Sequence, residues 1–244
     1  MRTLIKFDWS RVSAATEEFA RSLYWKVRKP TIVILMGPPG SGKGTTALRL
    51  APLLKTSPLS TGDLFRKEIA DRTPLGLRLE SYINSGKLVP DALVIAVIRE
   101  NLLRRKYWNG VVLDGFPRTL LQAKLLDKLL QNLGLSVDRV VLLAPAEDVI
   151  ISRLSARLTC SNTTCGRTYH LQSKPPQVAD ICDACKSPLM RRKDDVPAVI
   201  ADRLSTYRRE SDPICEHYAS KLSVIKPTAV ETEEEVLAKV TAAL

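Results

Sequence analysis

The stretch TIVILMGPPGSGKGTT, at residues 31–46, decides the fold. Residues 31–36 form a short run of β-branched and other apolar side chains, which is typical of a fully buried strand. A turn rich in glycine and proline follows, and apolar residues then recur with helical spacing from Lys43 to Leu54. A strand, a glycine-rich loop with a lysine, and a helix in this order predict a loop that cradles a phosphate group.

The chemistry of this loop depends on its glycines and its lysine. Glycine lets the backbone bend around a phosphate and turn its N–H groups toward it, at the positive end of the helix that follows. The lysine adds a point charge beside the terminal phosphates. The residues predicted to contact these phosphates are Gly37, Gly40, Ser41, Gly42, Lys43, Gly44 and Thr45.

A magnesium ion is expected beside the phosphates. Gly44 stands where many such loops place the serine or threonine that binds Mg²⁺. Asp114 follows the buried run at 111–113, so it is the natural acidic partner of the loop. We therefore expect Mg²⁺ to be held mainly through water and through Asp114.

Further apolar runs predict the rest of the sheet. Strands are expected at 111–113, 139–143 and about 222–226, and a helix from Glu147 to Leu158. Strands that alternate with helices favour an α/β fold, with a doubly wound parallel sheet covered by helices on both faces. Ligands of such sheets bind beyond the carboxyl ends of the strands.

Composition narrows the class of protein. The chain of 244 residues has 45% hydrophobic residues, which is ordinary for a globular protein. It lacks a run of about 18 apolar residues and a secretory signal, so we expect a soluble, cytoplasmic protein, with a mitochondrion or another organelle as the alternative. Its 37 Lys and Arg against 26 Asp and Glu give a net charge of +11. This charge predicts an anionic partner, whether nucleic acid, a membrane surface or a phosphorylated small molecule.

Residues 1–30 form a separate N-terminal extension. Their pattern predicts an amphipathic helix that Pro30 ends. We expect this helix to pack on the body of the protein, with a cleaved targeting segment or an anchor to a membrane or larger assembly as alternatives. Its apolar stripe would consist of Trp9, Val12, Thr16, Phe19, Leu23 and Val27.

Four motifs together resemble the adenylate kinase family, in the form with a long lid. They are GPPGSGKGT at 37–45, STGDLFR at 60–66, DGFPRT at 114–119 and RKDD at 192–195. The resemblance covers about residues 31–244. It implies a P-loop core with a five-stranded parallel sheet, built from residues 31–59, 91–157 and 196–244, an AMP-binding insertion at 60–90 and a lid at 158–195.

The resemblance also implies roles for residues around two nucleotides. Arg153 and Arg157 are expected on one face of the predicted helix, because they lie four residues apart. A carboxamide such as Gln122 offers one acceptor and two donors, which suits the edge of an adenine base. The AMP-binding residues would be Thr61, Gly62, Arg66, Lys87, Leu88, Val89, Gly115, Arg118 and Gln122. The catalytic residues would be Lys43, Asp114, Arg118, Arg157, Arg192 and Arg203, with Arg153 near the base of the donor ATP.

The cysteines indicate a metal site within residues 159–194, a segment that lacks the pattern of a sheet strand. Two close pairs, Cys160-x4-Cys165 and Cys182-x2-Cys185, are separated by sixteen residues. This spacing suits a tetrahedral zinc site of four cysteines, in which four thiolates leave no open position, so the zinc would be structural. The alternative is four reduced thiols in a lid that polar contacts hold.

The resemblance implies a nucleoside monophosphate kinase that converts ATP and AMP into two ADP with Mg²⁺. A GTP:AMP phosphotransferase is the first alternative, because the segment at 226–230 lacks the Asp-Gly pattern expected near the donor base. A non-catalytic nucleotide or RNA binder is the second, although Tyr169 is the lone aromatic residue of the segment 158–195. We expect a monomer without a nucleic-acid partner.

Overall fold

The computed structural model describes residues 14–85, 87–163 and 165–244. Five of its strands form an all-parallel central sheet, and three short ones form a separate antiparallel sheet. In chain order the strands are β1 (Thr31–Met36), β2 (Ser57–Ser60), β3 (Gly110–Asp114), β4 (Arg139–Leu143), β5 (Arg157–Cys160), β6 (Thr168–His170), β7 (Leu189–Met190) and β8 (Leu222–Ile225). The spatial order of the parallel sheet is β2-β3-β1-β4-β8, and that of the small sheet is β6-β5-β7.

Helices connect the parallel strands and cover the sheet. Within the described ranges, none of them is long and apolar enough to cross a bilayer. They are α1 (Ala14–Val27), α2 (Lys43–Leu53), α3 (Thr61–Ala70), α4 (Pro74–Asn84), α5 (Asp91–Leu102), α6 (Leu120–Asn132), α7 (Glu147–Ser155), α8 (Pro197–His217) and α9 (Glu233–Ala242).

The central strand β1 divides the core in two. Ile32 and Ile34 pack into a cluster with side chains of α3, α5, α6 and α8, whereas Val33 and Leu35 pack into a second cluster with α2 and α9. Successive side chains of a strand point to opposite faces, so a strand that is buried on both faces is apolar throughout. The predicted doubly wound α/β fold with helices on both faces is confirmed.

The predicted strands at 31–36 and 139–143 have the observed bounds of β1 and β4. The strand β2 has no counterpart among the runs predicted from hydrophobicity. Its sequence is SPLS, with Leu59 the buried residue among its four, and it pairs with β3 at one edge of the sheet. A short edge strand that carries serine and proline gives no apolar run, which explains why the pattern missed it.

The helix predicted from Glu147 to Leu158 is too long. In the structure α7 ends at Ser155, and Arg157 is already the first residue of β5. Leu158 and Cys160, two residues apart, point to the same face of that strand and pack into the small core of the cysteine segment. The prediction that Arg153 and Arg157 share one helix face is therefore wrong, because Leu158 gains more burial on a strand of the small sheet.

The predicted helix of the N-terminal extension is present at Ala14–Val27, but the face that was predicted to be buried is exposed. The predicted stripe positions Phe19, Leu23 and Val27 are 71%, 55% and 85% exposed, and α1 ends at Val27 rather than at Pro30. The predicted positions Trp9 and Val12 lie outside the described residues.

The opposite face of α1 contacts the loop before β3. The Trp25 indole N–H donates to the carbonyl of Trp108 at 3.0 Å, and the Tyr24 hydroxyl donates to the Asn109 side chain. The rings of Tyr24 and Trp108 lie 5.9 Å apart. An aromatic side chain with a polar tip gains both apolar contact and a hydrogen bond. This gain favours burial of the face with Tyr24 and Trp25 over the face with Phe19, Leu23 and Val27.

Candidate active site

The loop after β1 has the geometry that its glycines require. Gly40 and Gly42 have φ of 79° and 94°, in the left-handed region. At Gly37 a Cβ atom would lie 2.3 Å from the carbonyl oxygen of Leu143, the last residue of β4. The loop is thus pressed against the carboxyl end of the sheet, where ligands of parallel sheets bind.

Lys43 opens α2 and folds back over the loop. Its ammonium group donates to the carbonyls of Gly37 at 2.7 Å and Pro38 at 2.8 Å. Burial lowers the pKa of Lys43 to about 8, while the nearby carboxylate of Asp114 opposes this shift. The lysine is a half-buried, partly compensated positive charge that lines the cleft.

Asp114 ends β3 beside this lysine. It is 9% exposed, and a Cβ atom on Gly44 would lie 3.4 Å from its Oδ2, so the carboxylate faces the first turn of α2. Burial raises the pKa of Asp114, and the charge of Lys43 counteracts that rise. An acidic oxygen at this position, next to the phosphate loop, matches the donor chemistry that Mg²⁺ prefers.

Two of the predicted AMP motifs meet at Gly115. Its carbonyl oxygen accepts from the Thr61 hydroxyl at 2.9 Å and from the Arg118 Nε at 2.8 Å. Gly115 has a φ of 71°, and a Cβ atom there would lie 3.1 Å from Nη2 of Arg118. A glycine is therefore needed for the guanidinium of Arg118 to lie across the backbone.

Gln122 is buried, and its amide is already hydrogen-bonded. Its Oε1 accepts from the backbone N–H of Arg118 at 2.8 Å, and its Nε2 donates to Asp91 at 2.7 Å. A primary amide has two donors and two lone pairs, so one of each remains beyond these two bonds. Asp91, which also accepts from Thr119 at 3.3 Å, positions this amide and was not singled out from the sequence.

The segment at 87–89 contributes to the cleft through one side chain. Leu88 lines it beside Gly115 and Arg118. Val89 is buried in the core, and the side chain of Lys87 is exposed.

Paired aspartates hold two of the predicted catalytic arginines. Arg157 binds Asp195 through both ends of its guanidinium, at 2.8 and 2.5 Å. Arg203 uses a single nitrogen, Nη1, which lies 2.7 Å from Asp194 and 3.7 Å from Asp195. A bidentate pair fixes the plane of a guanidinium, so Arg157 is oriented before a ligand arrives, whereas Arg203 is held at one end.

A third aspartate joins two parts of the chain that are distant in sequence. Asp63, on α3, pairs with Arg66 at 2.5 Å and with Arg192 of the cysteine segment at 3.8 Å. Although burial favours the neutral acid, these two guanidinium groups keep the pKa of Asp63 below its ordinary value. Sequence reasoning passed over Asp63, which lies three residues before Arg66 on the observed helix α3, because no helix was predicted there.

Arg153 lies on α7, apart from Arg157. Its guanidinium reaches the carbonyls of Ser41 at 3.4 Å and of Thr228 at 3.3 Å. It thus bridges the phosphate loop and the segment that follows β8, the region predicted to meet the donor base. Burial lowers its pKa, and Glu231 opposes the shift.

The cleft lined by Lys43, Gly115, Arg118 and Arg203 has a volume of about 670 Å³, including its open mouth. One face of α8 forms a wall of it, through Arg203, Tyr207, Glu210 and Ile214. Three of these four were not predicted, although their spacing of three and four residues along a helix marks a single face.

The charges of the cleft call for an anionic ligand. Burial lowers the pKa of Arg192 to about 9, with a further contribution from the charges of Arg66 and Arg157. Burial and the charge of Arg203 likewise lower the pKa of Arg118 to about 10. Six cationic groups thus approach one another around the cleft, and the structure gives them four carboxylates, Asp63, Asp114, Asp194 and Asp195. Phosphate groups would supply the charge that relieves this repulsion.

The four cysteines of the predicted metal site converge. Their Sγ atoms all lie within 4.8 Å of one another, with Cys160 and Cys185 at 3.3 Å and Cys165 and Cys182 at 3.7 Å. Zn–S bonds of about 2.3 Å place the sulfurs of a tetrahedral site roughly 3.8 Å apart, so the four thiols fit zinc.

Tyr169 supports this cluster. Its hydroxyl accepts from the backbone N–H of Asp183 at 2.8 Å and lies 3.4 Å from the Sγ of Cys182. The hydrogen bond that Tyr169 donates lowers the pKa of Cys182 to about 6. A hydrogen bond from Ser187 lowers the pKa of Cys185 as well, so the cluster favours thiolates at two of its four sulfurs.

Comparison with known proteins gives the family. A family model described as "Adenylate kinase" matches residues 35–223. The chain belongs to the adenylate kinase family.

Curated adenylate kinases are similar over most of this chain. The "Adenylate kinase" of Clostridium botulinum (strain 657 / Type Ba4) is 37% identical over 208 residues, which cover 85% of this chain and 95% of that protein. That of Carboxydothermus hydrogenoformans is 38% identical over 212 residues, covering 87% and 98%. That of Clostridium tetani is 38% identical over 204 residues, covering 84% and 94%.

Family membership confirms the expectation of an enzyme. The chain is a phosphotransferase with the activity of a nucleoside monophosphate kinase. The phosphate loop, Gly115, Arg118 and Arg203 of this adenylate kinase line a single cleft.

The lowered pKa of Lys43 predicts a pH dependence. A lysine with a pKa of about 8 loses its proton as pH rises through that value, and with it the charge that attracts phosphates. We expect kcat/KM for ATP to fall about tenfold per pH unit above this pKa, because kcat/KM reports the free enzyme. The fall in kcat should begin at a higher pH than the fall in kcat/KM, because bound phosphates stabilise the ammonium form and so raise the pKa of Lys43 in the complex. Steady-state kinetics at pH values on both sides of this pKa test the prediction. A kcat/KM for ATP that stays constant well above the pKa contradicts the assignment of Lys43 to phosphate binding.

Proposed function

We propose that this enzyme transfers the γ-phosphoryl group of ATP to AMP, forming two ADP, in the cleft between the phosphate loop and Gly115. The observation that carries this proposal is the convergence of Lys43, Arg118 and Arg203 on that cleft. Arg66, Arg157 and Arg192 surround them through shared aspartates. Cations on several sides suit a phosphoryl group that spreads charge over three oxygens in transfer.

The acceptor needs no general base. The phosphate oxygens of AMP are already ionised near neutral pH, so catalysis reduces to alignment and charge neutralisation. Lys43 and Arg203 neutralise the transferring group, and Arg118 and Arg66 hold the acceptor phosphate in line with it. The paired aspartates hold the guanidinium groups in place, which lowers the reorganisation that transfer requires.

Water must be kept from the donor, because it would convert transfer into hydrolysis. Two contacts of the lid that we assign to residues 158–195 reach helices of other parts of the chain. Lys174 pairs with Glu233 of α9 at 3.0 Å, and Arg192 reaches Asp63 of α3 at 3.8 Å. These contacts support a lid that closes over the site and excludes water.

We assign Mg²⁺ to the space beside Asp114 and the first turn of α2. Asp114 would hold it, largely through water, in accord with the acceptor oxygens that this ion prefers. When bound, it would neutralise charge on the donor phosphates.

The AMP site would lie on the insertion at 60–90 and the motif after β3. Thr61 and Gly62 line it at the start of α3, and Leu88 supplies an apolar contact for the base. Gln122 would use its remaining donor and lone pair toward the adenine edge. The core would then consist of 31–59, 91–157 and 196–244, with the donor base near Arg153.

We assign a structural zinc to Cys160, Cys165, Cys182 and Cys185. Four thiolates complete a tetrahedral shell, so the zinc would take no part in phosphoryl transfer. It would join the ends of a segment whose strands β5, β6 and β7 have two to four residues each. Such short strands have little core of their own, which is where a metal adds most to folding.

A phosphoryl-transfer panel tests the reaction. ATP and GTP are crossed as donors with AMP, GMP, CMP and UMP as acceptors in the presence of Mg²⁺, and products are separated by nucleotide chromatography. We expect ADP from ATP and AMP at the highest kcat/KM. A preference for GTP would assign the donor site to the GTP:AMP branch instead, and nucleotide binding without transfer to any acceptor contradicts the proposal.

Two substitutions test the charge assignment. Lys43→Met and Arg118→Ala each remove a cation that neutralises or aligns a phosphate, so we expect turnover to fall about a hundredfold or more. Lys124→Met and Arg209→Ala are matched controls on the exposed faces of α6 and α8. Circular dichroism and thermal melting show whether each variant is folded. Near-normal turnover in folded Lys43→Met would refute the site.

The zinc assignment is tested by removing two ligands. The double substitution Cys182→Ser/Cys185→Ser leaves two thiolates, so we expect elemental analysis to show loss of bound zinc and hydrogen exchange to accelerate in residues 158–195. Cys215→Ser is the matched control, because Cys215 lies on α8, outside the cluster. Zinc content that is equal in the double variant and the control contradicts the assignment.

A further inference from the structure

The end of the sheet opposite the active site carries a second concentration of positive charge. Parallel strands all begin at the same edge, so residues just before them lie together. In spatial order across the sheet, the cations at or before the strand starts are Lys55 for β2, Arg104, Arg105 and Lys106 for β3, Arg28 and Lys29 for β1, Arg139 for β4 and Lys221 for β8. All but Lys221 are exposed.

Among the described residues, two of these cations pair with carboxylates. Glu100 pairs with Arg104 at 2.6 Å, and Asp138 pairs with Lys29 at 3.7 Å. Arg139 donates to the main-chain oxygen of Leu244 at 3.1 Å. Adjacent parallel strands lie about 4.8 Å apart, so the five strand starts spread the positive charge along an edge of roughly 20 Å. The nucleotide site, at the opposite edge, does not account for it.

The helix α1 lies across this same edge. Trp25 covers a small cavity lined by Pro30, Ile32 and Gly110, residues at the starts of β1 and β3. Tyr24 and Trp25 bond to Asn109 and Trp108, directly after the basic run Arg104–Lys106. The outer face of α1 therefore points away from the body, and its last turn lies next to the start of β1.

That outer face is apolar. Phe19, Leu23 and Val27 stand four residues apart and are each more than half exposed. A single exposed apolar side chain is ordinary, but a row of three on one helix face is not. An aliphatic and aromatic row next to an edge of lysine and arginine is the combination by which a peripheral protein enters the interface of an anionic bilayer.

We propose that the face formed by Phe19, Leu23, Val27 and the cations at the amino ends of the strands docks on a membrane surface that carries anionic phospholipids. The row on α1 would enter the headgroup region, and the cations would contact lipid phosphates and carboxylates. The cleft, at the carboxyl ends of the strands, would then face away from the bilayer, so the bound enzyme would keep its substrates and its moving segment in solution. A nucleic acid would use the cations and leave the apolar row unoccupied, which is why the lipid surface is favoured.

Vesicle co-sedimentation of the full chain tests the proposal. Sucrose-loaded vesicles of phosphatidylcholine alone are compared with vesicles containing about one third phosphatidylserine, at about 0.1 M and about 1 M salt. We expect at least tenfold tighter binding to the anionic vesicles at low salt, with most of this gain lost at high salt. Equal or undetectable binding to the two kinds of vesicle would overturn the proposal.

Two pairs of variants separate the contributions. Phe19→Ser/Leu23→Ser should weaken anionic vesicle binding at least tenfold, while Leu48→Ser/Ile151→Ser, which changes exposed apolar residues on α2 and α7, should not. Arg28→Glu/Lys106→Glu should remove the preference for phosphatidylserine, whereas Lys124→Glu/Arg209→Glu, with the same change in net charge, should keep it. Phosphoryl transfer in solution confirms that each variant is folded.

Two results would assign this face to another partner. If Phe19→Ser/Leu23→Ser binds anionic vesicles as the unchanged chain does and RNA displaces both, the face is a general polyanion site and the lipid proposal fails. If sedimentation velocity shows a dimer that the same variant dissociates, and vesicles bind neither form, the apolar row joins two copies of the chain and the proposal also fails.

Discussion

Crowding of like charges in a desolvated cleft is the constraint on which the rest of this structure depends. Lys43, Arg118 and Arg192 all have pKa values pulled below their ordinary range, because burial and neighbouring cations both disfavour their charged forms. Such a cluster holds together only if carboxylates are placed among the cations and a polyanion joins them. The parallel sheet meets this demand by bringing the phosphate loop and Asp114 to the carboxyl ends of neighbouring strands.

The carboxylates also connect parts of the chain that are far apart in sequence. Asp63 pairs with both Arg66 and Arg192, and Asp195 pairs with both Arg157 and Arg203. Each shared aspartate therefore ties the position of one segment to that of another. In the proposed reaction, a phosphate bound by Arg66 or Arg192 would compete with Asp63 for the same guanidinium group, and this competition would couple ligand binding to the relative position of these segments.

Much of the fold and of the site follows from the sequence, and the exceptions have physical causes. The strand at 31–36, the glycine loop and Lys43 were predictable because backbone geometry and chemistry demand those residue types there. The edge strand β2 and the small sheet were not, because strands of two to four residues carry no periodicity. Arg157 was placed on a helix because local spacing cannot report that Leu158 and Cys160 are buried against Tyr169. The outer face of α1 was misassigned because the aliphatic pattern outweighed two aromatic residues whose partners lie more than eighty positions away.

The hydrogen bonds of Lys43 have a consequence for which anions this loop retains. Its ammonium group is already satisfied by the carbonyls of Gly37 and Pro38, so an arriving anion exchanges existing bonds rather than filling empty ones. A small monovalent ion such as chloride gains little from that exchange. A chain of linked phosphates compensates through several backbone N–H groups at once, with a single loss of translational freedom. These existing bonds would therefore make the loop favour linked phosphates over simple monovalent anions, even where simple salts far outnumber nucleotides.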